Sequence, residues 1–442
     1  MRNAHARNTV RYYLLIIIAL SFLFFSNDFG LLDVQKTAII MAAGIDKEGE
    51  DFIVTSQVAI PQDSKQGKST ESVQIVSRGK TVADAFEEIN AKTGWYPKLV
   101  FCRLLLLGEN AAQENVFDAL DYFLRDEYFS DNCYVATCDG YAKDLLNQAA
   151  LVDSTSSVAI EKVLSDHAAR VGTVLPTTLR EFSIGYFGDS QSGFLPIVTT
   201  QPQQEKTLSP KEEGKQSQGD SSKQGGGGEN GGENGGQSGQ SGSGEQSGES
   251  GQNGGQNSVG GQSVGSGSNK ALEKPVFSAK NTALFVRGKR VSTLTAEETF
   301  AFNAVKNKLR LAPYTLPDDT ENCTLSIKQN SPKISLKVDE NGVGALQIKL
   351  RLTAGALDYS KALSLEQISD VGDVPDGIFA AAEKKLAAEI LSVFEKTRAA
   401  ECDLFGVQDL LMKHKPRALH KYKKEILKNT HAQISVRFEN VR

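Results

Sequence analysis

From Gln201 to about Lys270 the chain is dominated by Gly, Gln, Ser, Asn and Glu, carries the run Gly225 to Gly228, and contains no aromatic residue. Such a stretch buries too little apolar surface to offset the entropy of ordering it, so it reads as a disordered linker. Just over half of the 40 glycines lie in it. No Lys-Ser or Lys-Thr follows these glycines and no strand or helix pattern flanks them, which excludes a phosphate-binding loop. A chain of 442 residues is already too long for one ordinary domain. The linker divides it into an apolar leader (1–30), a first block (31–200), the linker itself (201–272) and a second block (273–442). Treated as a flexible coil, the linker spans roughly 45–50 Å, a loose tether unless the blocks dock by their own surfaces.

Arg2, Arg7 and Arg11 precede an uninterrupted apolar run, and the next charges are Asp28 and Asp33. The residues expected to meet a bilayer are Tyr12, Leu14, Leu15, Ile16, Ile17, Ile18, Leu20, Phe22, Leu23, Phe24 and Phe25. The uncharged stretch, Tyr12 to Asn27, is 16 residues, between a signal-peptide core and a spanning helix in length. Its exit, Phe24-Phe25-Ser26-Asn27-Asp28-Phe29, lacks the small residues of a cleavage site, which favours an uncleaved signal anchor. Basic residues before the run and none just after it place the N-terminus in the cytoplasm and the bulk outside.

The first block alternates strand and helix patterns: strands at Thr37 to Gly44, Asp51 to Ile60 and Val73 to Val76, then a helix capped by Thr81. Lys98 to Leu107 is nearly continuously apolar, as in a central strand covered on both faces. Helices at Ala112 to Arg125, Ala142 to Gln148 and Ser156 to Arg170, with a strand at Asn132 to Thr137, complete it. In the second block a strand at Thr282 to Val286 is followed by the capping box Thr295 to Glu298, which opens a helix to about Leu309. Ile334, Leu336 and Val338 alternate with polar residues, as do Leu346, Ile348, Leu350 and Leu352, and Asn341-Gly342 between them signals a hairpin. Ile434, Val436 and Phe438 repeat the pattern. Pro375 to Glu401 carries one apolar stripe and reads as a long helix covering this sheet. The class is α+β: two mixed blocks of largely antiparallel, helix-covered sheets.

Chemistry is sparse. A net charge of −5 gives no basic balance for nucleic acid. Five cysteines, Cys102, Cys133, Cys138, Cys323 and Cys402, form no C-x-x-C pair for zinc; Cys133 and Cys138 read as part-buried thiols or, with a bend between them, a disulfide. His5, His167, His414, His420 and His431 lie before the leader, on an exposed helix face or near a basic tail, and Glu87-Glu88, Glu297-Glu298 and Asp339-Glu340 fall at solvated positions. No catalytic, cofactor or metal constellation emerges, and the expected class is non-enzymatic. The tail from Lys413 to Lys428 is basic and amphipathic, either attracted to anionic headgroups or an acidic partner, or a solvated helix face.

Taken in order, several short motifs resemble the Ger(x)C family, the C subunits of spore germinant receptors in endospore-forming bacteria. They are Gly44-Ile45-Asp46, Gly79-Lys80-Thr81, Leu107-Gly108-Glu109, Leu120 to Asp126, Leu175 to Phe182, Phe194-Leu195-Pro196, Ala283-Leu284-Phe285, Glu297-Glu298-Thr299 and Asp403-Leu404-Phe405-Gly406. The resemblance implies an extracytoplasmic, membrane-anchored, non-enzymatic protein working with integral-membrane co-subunits in nutrient-triggered germination, its small-molecule ligand unknown. Members of that family resemble lipoproteins with a Cys just after the apolar run. Here Ser26-Asn27-Asp28 stands there and the nearest cysteine is Cys102, so the helix itself is expected to anchor the chain. An exported solute- or wall-binding module is the alternative reading.

Overall fold

A computed structural model describes residues 12–22, 37–59, 72–151, 153–165, 168–201, 276–316, 323–359, 374–414, 421–423 and 425–441. Residues 12–22 form helix α1. Strands β1 (Thr37–Glu48) and β2 (Asp51–Ala59) make an antiparallel hairpin turned at Gly49, whose φ of 62° suits glycine. β3 (Ser72–Gly79) adds to β2, and α2 (Val82–Thr93) follows, with Thr81 Oγ1 accepting from the Asp84 N–H. Next come β4 (Tyr96–Lys98) and β5 (Leu104–Leu107), both parallel to β1. Helices α3 (Glu109–Gln113) and α4 (Val116–Arg125) lead to β6 (Tyr134–Cys138), parallel to β5. After α5 (Ala142–Leu146), α6 (Ser156–Leu164), α7 (Ala168–Val171) and α8 (Leu179–Phe187), β7 (Ser192–Gln201) lies parallel to β6.

Past the low-complexity segment, the next strand enters the first sheet. β8 (Val276–Val286) pairs antiparallel with β7, and Gln201 is the register partner of Val276. β9 (Lys289–Leu294) folds back on β8, giving the order β3-β2-β1-β5-β6-β7-β8-β9 with β4 beside β1. Residues 202–275, where the disordered linker is expected, lie outside the described residues. Their two flanks are cross-strand neighbours, so they are inserted between adjacent strands, and the 45–50 Å separation that a spacer would set does not exist. Sheet membership therefore does not follow the division of the sequence into blocks.

The remaining elements are α9 (Ala296–Val305), β10 (Ala312–Leu316), β11 (Cys323–Val338), β12 (Gly344–Tyr359), α10 (Asp376–Ala399), α11 (Val407–His414) and β13 (Thr430–Asn440). They build a second sheet in the order β10-β11-β12-β13. The β11–β12 hairpin is antiparallel, as the Asn341-Gly342 turn requires, but β13 joins β12 parallel. The centre of the first sheet is parallel too, so the mixed α/β class holds with fewer antiparallel pairs than the patterns imply.

Apolar periodicity explains the layers. Helices α2, α4 and α8 cover one face of the first sheet through Phe86, Phe123 and Phe182, and α5 and α6 cover the other through Leu146 and Ile160. Leu104, Leu105, Leu106 and Leu107 are consequently all fully buried. On the second sheet, α10 buries Phe379, Ala382, Leu386, Ile390, Val393, Phe394 and Thr397, the stripe legible in the sequence. The α9 helix packs into this second core through Phe302, whose ring meets Phe194 of β7 edge-on at 5.9 Å. Asn303 Nδ2 donates to the carbonyls of Gly172 and Val174 at 2.7 and 2.9 Å.

Replacing residues 204–273 with a turn of about four residues is expected to leave the fold intact and raise its unfolding free energy by about 2–3 kcal/mol, the loop-closure entropy no longer lost on folding. Urea unfolding in detergent, followed through Trp95, the chain's single tryptophan, measures this. A lower stability would show that β7 and β8 need the intervening residues to pair.

Candidate functional site

The α1 helix is apolar apart from Ser21, and among the described residues none buries it. Its large residues remain exposed, from 53% at Ile18 to 77% at Phe22. Tyr12, Leu14, Leu15, Ile16, Ile17, Ile18, Leu20 and Phe22 thus share one bare surface, while Leu23, Phe24 and Phe25 lie outside the described residues. Residues 12–22 rise about 16 Å, against roughly 30 Å of bilayer hydrocarbon. Among the described residues no helix is long and apolar enough to cross a membrane. A bare apolar surface of this kind marks an interaction site.

The recognisable motifs of the chain build the fold. Asp46, in Gly44-Ile45-Asp46, is buried, and its carboxylate accepts from the N–H groups of Ala142 and Lys143 at 2.7 and 3.0 Å, capping α5. Burial raises its pKa above 3.8, opposed by those two N–H bonds and by the Lys143 charge. A Cβ on Gly108 would lie 2.0 Å from Asp46 Oδ1, and one on Gly44 would lie 2.9 Å from Leu146 Cδ1. These glycines exist to let helix, carboxylate and sheet meet. Asp403 repeats the device on α11, accepting from Val407 and Gln408 N–H at 2.7 and 2.8 Å, while its own N–H donates to Ser192 Oγ of β7 at 2.9 Å. Its pKa is likewise raised by burial. Thr178 with Glu181, and Thr295 with Glu298, form complete capping boxes.

All five cysteines are free and buried, which settles Cys133 and Cys138 as thiols. Burial pushes the Cys402 thiol up to about 12 and raises those of Cys133 and Cys138, the condition of inert core thiols. His414 and His431 are exposed; His5, His167 and His420 lie outside the described residues. No cluster of His, Cys, Asp and Glu able to hold a metal occurs among the described residues.

A groove of about 830 Å³ runs between the loop before β7, the β8–β9 turn and the C-terminal segment. Sequence reasoning missed it because its walls come from positions far apart in the chain. Asp189, Arg287, Glu401, Lys423 and Lys428 line it, and the backbones of Gln191, Arg287 and Glu401 at its rim have positive φ. Four of its five charges are paired: Lys423 with Asp189, and Lys428 with Glu401 at 2.6 Å, which lowers the Glu401 pKa. The Tyr422 ring covers Gly342 and its hydroxyl donates to the Glu340 carbonyl. The basic tail is thus tied into the body where it is described.

The comparisons with known proteins follow this architecture. The spore germination protein N-terminal domain matches residues 32–200, and the spore germination B3/GerAC-like C-terminal domain matches residues 280–441. The chain belongs to the GerAC family of spore germination proteins. It is 26% identical over 122 residues to spore germination protein B3 of Bacillus subtilis (strain 168), a match spanning 26% of this chain and 32% of that relative. It is also similar to the crystal structure of the GerBC protein, with a TM-score of 0.48 and 17% identity, covering 90% of this chain and 97% of that one. The two family domains meet at the segment inserted between β7 and β8.

Asp46 gives a pH signature. A carboxyl whose pKa is raised on folding favours the folded state most when protonated, so its contribution is full below the ordinary value of 3.8 and is lost as pH rises through the folded value. Asp46→Asn is expected to flatten that decline in the urea midpoint as pH rises above the ordinary carboxyl value of 3.8. Gly108→Ala is expected to cost about 1–3 kcal/mol, since the new methyl displaces the cap; a midpoint equal to wild type would remove Asp46 from this role.

Proposed function

We propose that this protein is a membrane-held, extracytoplasmic subunit of a spore germinant receptor, acting without catalysis alongside integral-membrane co-subunits in nutrient-triggered germination. The observation that carries the reading is the match of both family domains, in order, on a body preceded by the uncovered apolar helix α1. The α1 helix, with the apolar residues Leu23, Phe24 and Phe25 next in sequence, is the anchor in place of a lipidated cysteine. Arg2, Arg7 and Arg11 hold the N-terminus on the cytoplasmic side. The body then contributes by touching other proteins: its buried aspartates cap helices, its thiols are sequestered, and the groove beside the β8–β9 turn carries the ion pairs Lys423–Asp189 and Lys428–Glu401.

Ile17→Asp places a charge in the anchor, at a cost of about 2.5–3.5 kcal/mol for insertion. The expected result is a shift of the full-length protein from the membrane to the soluble fraction on cell fractionation, together with loss of nutrient-triggered germination of the spores. Normal germination after deletion of the gene would refute the receptor role, and a wild-type chain found in the soluble fraction would refute the anchor.

A further inference from the structure

The outer face of the second sheet is a grid of cations. Register sets Ser331, Arg351 and Arg437 in one row, Lys333, Lys349 and Ser435 in the next, then Ser335, Gln347 and Gln433, and finally Lys337, Ala345 and His431. Alternation turns these side chains outward because the intervening residues, Ile334, Ile348 and Ile434 among them, pack into the core beneath. Arg351 and Arg437 keep 70% and 75% of their side-chain surface exposed and share one carboxylate, Glu439, at 3.4 and 3.8 Å. Lys333 stands directly opposite Lys349, and neither has an ion-pair partner among the described residues.

Like charges directly opposite on a sheet repel, so this arrangement works against the stability of the sheet itself. Lysines on edge strands discourage strand addition, which accounts for residues on β13 and on the part of β11 beyond Ile327, where β10 no longer pairs with it. It does not account for Lys349 and Arg351, because β12 lies between those strands. The basic tail differs in kind: Lys423 and Lys428 are paired with Asp189 and Glu401.

We propose that this face lies against an anionic phospholipid surface, its lysines and arginines reaching the headgroup phosphates. Protein interfaces rest on aromatic or aliphatic anchors and are depleted in Lys, and single-stranded nucleic acid is held on aromatic platforms. The grid offers neither, since Ser, Gln, Ala and a single His fill the spaces between its cations. A plane of diffuse phosphate charge requires only cations that reach it. The contact adds to α1 a second, electrostatic attachment, and it rests on the anchor reading only in that α1 brings the body near a bilayer.

The test is flotation of the full chain carrying Ile17→Asp on vesicles of phosphatidylcholine or phosphatidylglycerol, at low and physiological salt. Binding is expected to phosphatidylglycerol alone, weaker at higher salt, and reduced at least about tenfold by adding Lys333→Glu and Lys349→Glu. Lys333→Gln with Lys349→Gln gives a milder pair should the reversal unfold the sheet, and circular dichroism reports folding. No flotation on phosphatidylglycerol, or flotation that these substitutions leave unchanged, overturns the proposal. Retention by duplex DNA at equal phosphate concentration without vesicle binding overturns it as well. The wild-type chain on phosphatidylcholine reports the α1 anchor separately, so either reading fails independently of the other.

Discussion

The pairing of β7 with β8 is the constraint on which the rest of the architecture depends. It places the first strand after the inserted segment against the last strand before it, from Gln201 beside Val276 to Ser192 beside Val286. Only with that ladder formed does β9 return the chain to α9, and only then does α9 set Phe302 against Phe194 and Asn303 against the carbonyls of Gly172 and Val174. These contacts lie between residues more than a hundred positions apart in sequence. A long insertion between β7 and β8 is tolerated because loop-closure entropy grows only with the logarithm of length. Sheet pairing fixes the geometry whatever the insertion contains.

The two buried aspartates show how the family's short motifs act. Asp46 joins the end of β1 to α5 and Asp403 joins α11 to β7 through Ser192. In each case a carboxylate with a pKa raised by burial satisfies orphan N–H groups at a helix start. Motifs of this kind are architectural. They identify a family through its fold, so the functional reading has to come from surfaces: the bare helix α1 and the outer face of the second sheet.

Where periodicity was strong, the elements were legible: the α10 stripe, the β11–β12 hairpin at Asn341-Gly342, and the caps at Thr81 and Thr295 all stand as patterned. Continuous apolar runs concealed their breaks. Lys98 to Leu107 reads as one strand, yet a turn at Leu99 to Cys102, closed by the Cys102 N–H to the Leu99 carbonyl, separates β4 from β5. Glu114 ends α3 and Asn115 caps α4 within what looks like one helix, and Ser165 ends α6 before α7. Strand direction was illegible, because alternation is the same in parallel and antiparallel ladders; β13 and the centre of the first sheet show this. The groove escaped detection for a different reason, as its walls are assembled by tertiary contact alone. Of the anchor, the apolar character was plain in the sequence, and it lies on no buried face of the body.

Charge is the property for which whole-chain arithmetic misleads most. A net −5 conceals a segregation in which carboxylates pair with the tail cations and cap the helices, while one sheet face collects Lys333, Lys349, Arg351 and Arg437, whose one ion-pair partner among the described residues is Glu439. Within a Debye length of about 8 Å at physiological salt, a flat surface senses that face and not the chain average. The densest cationic run in the sequence, by contrast, is partly neutralised by Asp189 and Glu401 once folded. Period-2 alternation on β11, β12 and β13 places every second residue on one plane, so modest counts of Lys and Arg in three separate segments sum to a field that no single segment displays.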